Sequence, residues 1–190
     1  MSVAIIYASH HGHTRAVCER LAEGLRGRGV ASEIMNVDTL PESFSLDAYD
    51  AAILAGAVHY GRHPKSLVRL ASAHRYDLDA LPTVFVSVSL ASADPKAASQ
   101  AQRTADGFAE QTGWQPGIIM PVAGALPYSR YNPLLRLLMR QIARVSGGVT
   151  DTKHDHVYTD WEQVDALAAR VGEALHPRPP DDRPPPQPPH

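Results

Sequence analysis

The stretch VAIIYASHHGHTRAVCERL, residues 3–21, decides the fold because it joins an apolar run to a polar loop and then to an amphipathic segment. Residues 3–8 are apolar with little alternation, which is typical of a strand covered on both faces. Val17, Leu21 and Leu25 recur at helical spacing after the loop. The stretch therefore predicts a strand, a loop and a helix.

Four further short apolar runs follow, and helical segments separate them. The runs predict strands at residues 31–37, 51–57, 83–89 and 117–122. Repeated βα units imply right-handed crossovers and a doubly wound parallel sheet, so the fold class is α/β. Ligands of such sheets bind beyond the carboxyl ends of the strands, which directs attention to the loops after strands one, three and four.

The last predicted helix follows the sequence TDWEQV, residues 159–164. Thr159 and Glu162 have the spacing of a capping box at its start. Five apolar positions form one stripe along it, namely Trp161, Val164, Leu167, Val171 and Leu175.

Length and composition limit the possible functions. A chain of 190 residues, 44% hydrophobic, is long enough to bury one sizeable core. A formal net charge of −2 gives no reason to expect nucleic acid as a partner. Cys18 is the only cysteine, which excludes a disulfide framework and suits a reducing cytoplasm. No signal peptide and no run long enough to span a membrane is expected.

The end of the chain differs from the rest. Residues 177–190, PRPPDDRPPPQPPH, include eight prolines and little that a core could bury. We predict a folded domain over residues 1–176 and a disordered, proline-rich tail over residues 177–190.

The first loop has the pattern Ser-x-x-Gly-x-Thr between a strand and a helix. Ser9 and Thr14 supply hydroxyls, and Gly12 can adopt a positive φ. Successive amide N–H groups at a helix N-terminus form an anion site that needs no lysine or arginine. The loop therefore predicts a phosphate cradle, although it matches neither the P-loop nor the GxGxxG pattern.

His10, His11 and His13 leave three interpretations of this loop open. The three side chains converge on a metal, contact or shield a bound phosphate, or simply face solvent. Metal pairs usually sit at fixed spacing with carboxylate or cysteine partners, and none is near in sequence. We predict no metal site.

The second and third loops offer different chemistry. Tyr60, between His59 and Gly61, either stacks on a planar ligand or packs on its own loop. Residues 87–95 offer hydroxyls and backbone groups that suit hydrogen bonds to the edge of a ring. Cys18 is expected to be a small buried hydrophobe and not a nucleophile.

The three-loop layout resembles the flavodoxin family. Four stretches resemble more closely the flavodoxin-type, menaquinone-dependent protoporphyrinogen IX dehydrogenases. They are GAVHYGRHPKSL (56–67), FVSVSLASADP (85–95), VAGALPYSRYNPLLRLLMRQIARVSGGVTDT (122–152) and VYTDWEQV (157–164). The resemblance covers residues 3–175, and the third and fourth stretches are its most specific parts.

The resemblance implies a five-stranded sheet of order 2-1-3-4-5 and an FMN cofactor. It implies oxidation of protoporphyrinogen IX with a membrane quinone as acceptor, in haem biosynthesis. The FMN phosphate would be held by Ser9, His10, His11, Gly12, His13 and Thr14. The isoalloxazine would be bordered by Val58, Tyr60, Gly61, Ser87, Val88, Ser89, Leu90 and Ala91. No catalytic acid or base is assigned.

An insertion after strand five, at about residues 124–149, is basic and amphipathic. Residues 111–150 contain four arginines and no acidic residue. Such asymmetry points to an anionic partner, either the inner face of the cell membrane or the propionates of the substrate. An ordinary helix with a solvated basic face is the alternative. The predicted contact residues are Tyr128, Arg130, Tyr131, Arg136, Arg140 and Arg144.

Two other functions remain compatible with the sequence. One is a flavodoxin-like electron carrier or quinone reductase that does not act on porphyrins. The other is a non-enzymatic module that docks on a membrane or a protein partner through the basic insertion.

Overall fold

A computed structural model describes residues 1–9, 12–126 and 156–176. Its main element is a five-stranded parallel sheet of order β2-β1-β3-β4-β5, which confirms the predicted fold class and strand order. The strands are β1 (Ser2–Ala8), β2 (Ala31–Asn36), β3 (Ala51–Ala57), β4 (Thr83–Ser89) and β5 (Ile118–Ala123). A small antiparallel pair joins β6 (Ala125–Leu126) to β7 (His156–Val157).

Helices cover both faces of this sheet. They are α1 (His13–Arg26), α2 (Lys65–Ala73), α3 (Arg75–Asp79), α4 (Ala98–Thr112) and α5 (Trp161–Leu175). One buried cluster joins α1 and α5 to one face of the sheet. A second cluster packs α2, α3 and α4 on the other face. The central strands are buried on both faces, which explains why their sequences show so little alternation.

Three of the five predicted strands differ from the observed ones by one residue at one or both ends, and the first of them begins at Ser2 instead of residue 3. The second ends at Asn36, whose side-chain oxygen accepts a hydrogen bond from the Asp38 amide and starts a short 3₁₀ turn. The fifth begins at Ile118 and extends to Ala123. Cys18 is fully buried, as predicted, and burial raises the pKa of its thiol.

The predicted capping box at α5 is wrong. Asp160 caps the helix, because its carboxylate accepts hydrogen bonds from the amides of Glu162 and Gln163. Thr159 is buried, and its hydroxyl donates to the Ala123 carbonyl at 2.6 Å. The predicted apolar stripe is buried except for Trp161, which is 36% exposed. None of the described helices is both long and apolar enough to cross a membrane.

Candidate functional site

The strand register brings the three predicted loops to one edge of the sheet. Ala8 at the end of β1 pairs with Gly56 of β3, and Gly56 pairs with Ser87 of β4. Ser89 pairs with Ala123 at the end of β5. The loops that follow these strands are therefore neighbours, as expected for the ligand edge of a doubly wound sheet.

The first loop turns sharply into α1. The Gly12 amide donates to the Ser9 hydroxyl oxygen at 3.0 Å, and Gly12 has φ 85°, a left-handed conformation that glycine adopts without strain. No side chain of the described residues caps α1, so the amides of its first turn are available to a ligand. This geometry fits a phosphate group at the start of the helix.

His13 lies at the rim of this loop and forms a hydrogen bond to a residue that is distant in sequence. Its Nε2 is 2.6 Å from the Thr159 hydroxyl oxygen, and its ring meets Trp161 edge-on. The Thr159 hydroxyl has one hydrogen and donates it to Ala123, so Nε2 of His13 must be the donor in this contact. Partial burial lowers the pKa of His13. The side chain thereby ties the start of α1 to β5 and α5.

The second loop is a tight hairpin that displays an aromatic side chain. His59 and Arg62 exchange backbone hydrogen bonds of 2.9 and 3.0 Å across Tyr60 and Gly61. Both central residues have positive φ, 51° for Tyr60 and 73° for Gly61, as in a type I′ turn. Tyr60 is 99% exposed, so the protein itself does not bury this ring. A strained, exposed aromatic at a ligand edge is well placed to stack on a planar group.

His63 is a supporting residue that the sequence did not single out. It is 9% exposed, and its Nε2 is 3.0 Å from the Ser87 hydroxyl. Its ring contacts Phe85 and Phe108 edge-on, and these two rings stack on each other. Burial lowers its pKa to about 4, so the imidazole is neutral at physiological pH. The hydrogen bond between His63 and Ser87 joins the end of the second loop to β4.

Two serine hydroxyls at the start of the third loop already have hydrogen-bond partners within the protein. The Ser87 hydroxyl is engaged with His63, and that of Ser89 bonds to Ser92. The Val88 carbonyl accepts from the Val58 amide at 2.8 Å, which fixes the second loop to the third. The hydroxyls of Ser87 and Ser89 thus support the edge, while Leu90 is 36% exposed there.

Several predicted residues lie outside the described part of the chain. His10 and His11 belong to this group, so convergence of the three histidines on a metal stays untested. Among the described residues, no three histidine, cysteine or acidic side chains cluster as metal ligands. The predicted contacts of the insertion also lie outside, namely Tyr128, Arg130, Tyr131, Arg136, Arg140 and Arg144.

Comparison with known proteins identifies the family of the chain. Residues 4–153 match the flavodoxin domain family, and the chain belongs to that family. The chain is 31% identical to the protoporphyrinogen IX dehydrogenase [quinone] of Escherichia coli K12, over 90% of this chain and 94% of the relative. A protein of the same name from Leishmania major is also 31% identical, over 92% of this chain and 78% of the relative. The predicted family and its oxidoreductase class are confirmed.

Solved structures agree at the level of the fold. A short-chain flavodoxin associated with a PDU bacterial microcompartment superposes with a TM-score of 0.57 at 12% identity, over 93% of this chain and 98% of that one. An archaeal flavodoxin gives a TM-score of 0.54 at 11% identity, over 93% and 99% of the two chains.

The described residues fit a flavin nucleotide. Ser9 and Gly12 shape the turn that would receive the phosphate, and the free amides at the start of α1 suit its charge. Tyr60 is exposed where a ring would lie, and the backbone at residues 88–91 borders the same edge.

Proposed function

We propose that the protein oxidises protoporphyrinogen IX to protoporphyrin IX, with FMN as cofactor and a membrane quinone such as menaquinone as electron acceptor, in haem biosynthesis. The observation that carries the proposal is the 31% identity to the quinone-dependent Escherichia coli enzyme over 94% of that enzyme's length. The three-loop edge supports it, because it offers a phosphate turn and an exposed aromatic on the same side of the sheet.

The chemistry of the substrate sets the stoichiometry. Conversion of the porphyrinogen into the porphyrin removes six electrons and six protons, so one substrate reduces three quinones to three quinols. Bound FMN supplies the two-electron redox chemistry that the side chains of the protein lack.

The residues of the chain bind and orient the cofactor. Ser9, Gly12 and the first amides of α1 hold the phosphate, while His13 and Thr159 fix the start of that helix. Tyr60 covers one side of the ring system. His63 stays neutral and bonds to Ser87 at this edge of the sheet. It therefore adds no buried positive charge that would shift the reduction potential of the flavin.

The insertion completes the proposal. We place its arginines, Arg130, Arg136, Arg140 and Arg144, against anionic lipid at the inner face of the membrane, where the quinone resides. We propose Tyr128 and Tyr131 as contacts of the flavin or the substrate.

An anaerobic assay tests this function. Purified protein loaded with FMN is given protoporphyrinogen IX and a menaquinone analogue, with and without membranes, and porphyrin fluorescence is followed. We expect three quinols per porphyrin. Folded protein that takes up no FMN would contradict the proposal. Quinone reduction from another donor, without porphyrin formation and unchanged by deletion of residues 128–145, would identify an electron carrier or quinone reductase.

A further inference from the structure

The segment from β3 to the first two residues of α3 has an excess of positive charge. Residues 51–76 contain four lysine or arginine residues and no acidic residue. Three of the cations, Arg62, Lys65 and Arg69, are exposed. Among the described residues none of the three has an ion pair or a side-chain hydrogen bond. Elsewhere the exposed Arg20 is paired, with Asp165 at 2.6 Å.

Two of these cations, Arg62 and Lys65, stand at the candidate site, and Arg69 lies one helical turn further along α2. Arg62 closes the hairpin that displays Tyr60. Lys65 is the first residue of α2, and α2 follows the carboxyl end of β3, so its first turns lie at the ligand edge. Arg69 is four residues further and therefore shares a helix face with Lys65. We call Arg62, Lys65 and Arg69 the basic face.

The combination of unpaired cations and an exposed aromatic suits one kind of ligand. An apolar ring system with attached carboxylates gains charge-assisted hydrogen bonds from the cations and can contact the part of the exposed Tyr60 side chain that the flavin does not cover. Arginine is especially suited to carboxylates because its guanidinium pairs with both oxygens. Phosphate of the cofactor has a different place, the turn formed by Ser9 and Gly12.

We propose that the basic face binds the carboxylates of the tetrapyrrole substrate beside Tyr60. The proposal rests on the proposed function and deepens it by naming substrate-binding residues within the described part of the chain. Asp38 lines a groove of about 390 Å³ together with Arg69, yet the two side chains form no ion pair. The charge of Arg69 is therefore not neutralised within the described fold.

Binding of the stable product tests the assignment. FMN-loaded protein is titrated with protoporphyrin IX and, in the same detergent, with its dimethyl ester, which lacks the carboxylate charges. For the variant Arg62→Gln/Lys65→Gln/Arg69→Gln we expect the affinity for the acid to fall about tenfold, since each exposed charge pair contributes modestly. The affinity for the ester should stay unchanged, and added salt should weaken binding of the acid by wild type.

A control variant with the same change in charge is Arg26→Gln/Arg103→Gln/Arg170→Gln, whose residues are exposed elsewhere on the fold. It should bind both porphyrins like wild type, and both variants should keep their FMN content and melting temperature. Equal loss in the control, equal loss for the ester, or no loss for the acid would overturn the proposal.

Two further measurements separate the possible failures. If the basic-face variant binds porphyrin normally but no longer sediments with vesicles containing phosphatidylglycerol, the face is a lipid site and the proposal is wrong. If wild type does not oxidise protoporphyrinogen IX at all, the proposed function fails. If wild type does oxidise it and the variant binds the acid unchanged, only the assignment of the basic face fails.

Discussion

His13 and His63 both support the ligand edge through a hydrogen bond to a hydroxyl, but they do so in different surroundings. His63 is buried between Phe85 of β4 and Phe108 of α4 and bonds to Ser87 of β4. His13 is half-buried at the rim and connects the turn formed by Ser9 and Gly12 to Thr159, which lies just before α5. The interior histidine therefore serves stability, while the rim histidine is positioned to affect ligand binding.

The largest effect expected from this difference is the pH dependence of stability caused by His63. Its folded pKa is about 4, below the ordinary value of 6.5, so the unfolded chain binds a proton that the folded chain refuses in this window. The stability that the fold has while His63 is neutral in both states is fully present above pH 6.5, and it is lost as the pH falls towards 4. We expect His63 to lower the free energy of unfolding by about 2 kcal/mol between pH 7.5 and pH 5.

Urea unfolding of wild type and His63→Phe at the two pH values measures this contribution. The substitution retains an aromatic ring but cannot titrate, so its stability should fall less between pH 7.5 and 5. Because the other histidines are common to both proteins, the difference between their changes in the free energy of unfolding from pH 7.5 to pH 5 isolates the effect of His63. Equal changes would mean that His63 is protonated in the folded protein at pH 5.

A smaller effect on stability, with an added effect on the cofactor, is expected at the rim. Thr159→Val keeps the shape but leaves the Ala123 carbonyl without its donor and His13 Nε2 without its acceptor. Leaving such groups unpaired costs about 1 to 2 kcal/mol. Because His13 begins α1, FMN affinity should also fall, as measured by quenching of flavin fluorescence.

Thr159→Ser is the matched control, because it keeps the hydroxyl that joins His13 to Ala123. It should retain most of the stability and FMN affinity lost by the valine variant. If both variants bind FMN like wild type, the link between Thr159 and the phosphate turn is purely structural, and the contrast between the two histidines disappears.

The two histidine contacts also mark the limit of prediction from sequence. Apolar runs located all five strands of the sheet, because burial on both faces removes alternation from their sequences. The contact between His63 and Ser87 joins residues 24 apart, and that between His13 and Thr159 joins residues 146 apart. No local pattern encodes such pairs, since they arise only when the strands are assembled.

Local ambiguity explains the error at α5. Thr159 and Asp160 are adjacent, and both residue types are good N-caps. The burial of Thr159 against Ala123 decides between them, and burial is a property of the whole fold. Likewise, the sequence does not predict the hairpin at Tyr60 and Gly61, because tyrosine is a poor residue for positive φ and gives no turn signal.

The smallest expected effect on stability concerns that hairpin. Tyr60→Asn places a residue that tolerates positive φ at φ 51° and removes a ring that contacts little of the protein, since Tyr60 is 99% exposed. The free energy of unfolding without FMN should rise by about 0.5 to 1 kcal/mol, because backbone strain of this kind costs about 1 kcal/mol or more. FMN affinity should fall, because the stacking ring is lost.

Opposite signs for stability and affinity are what distinguish a strained binding residue from a packing residue. Tyr76→Asn is the control, since Tyr76 is also exposed, at 72%, but lies in α3 with an ordinary backbone conformation. It should not raise the free energy of unfolding and should leave FMN affinity unchanged. If Tyr60→Asn instead lowers stability and leaves FMN affinity as it was, the ring packs on its own loop, and the strain at residue 60 supports the hairpin and not the ligand.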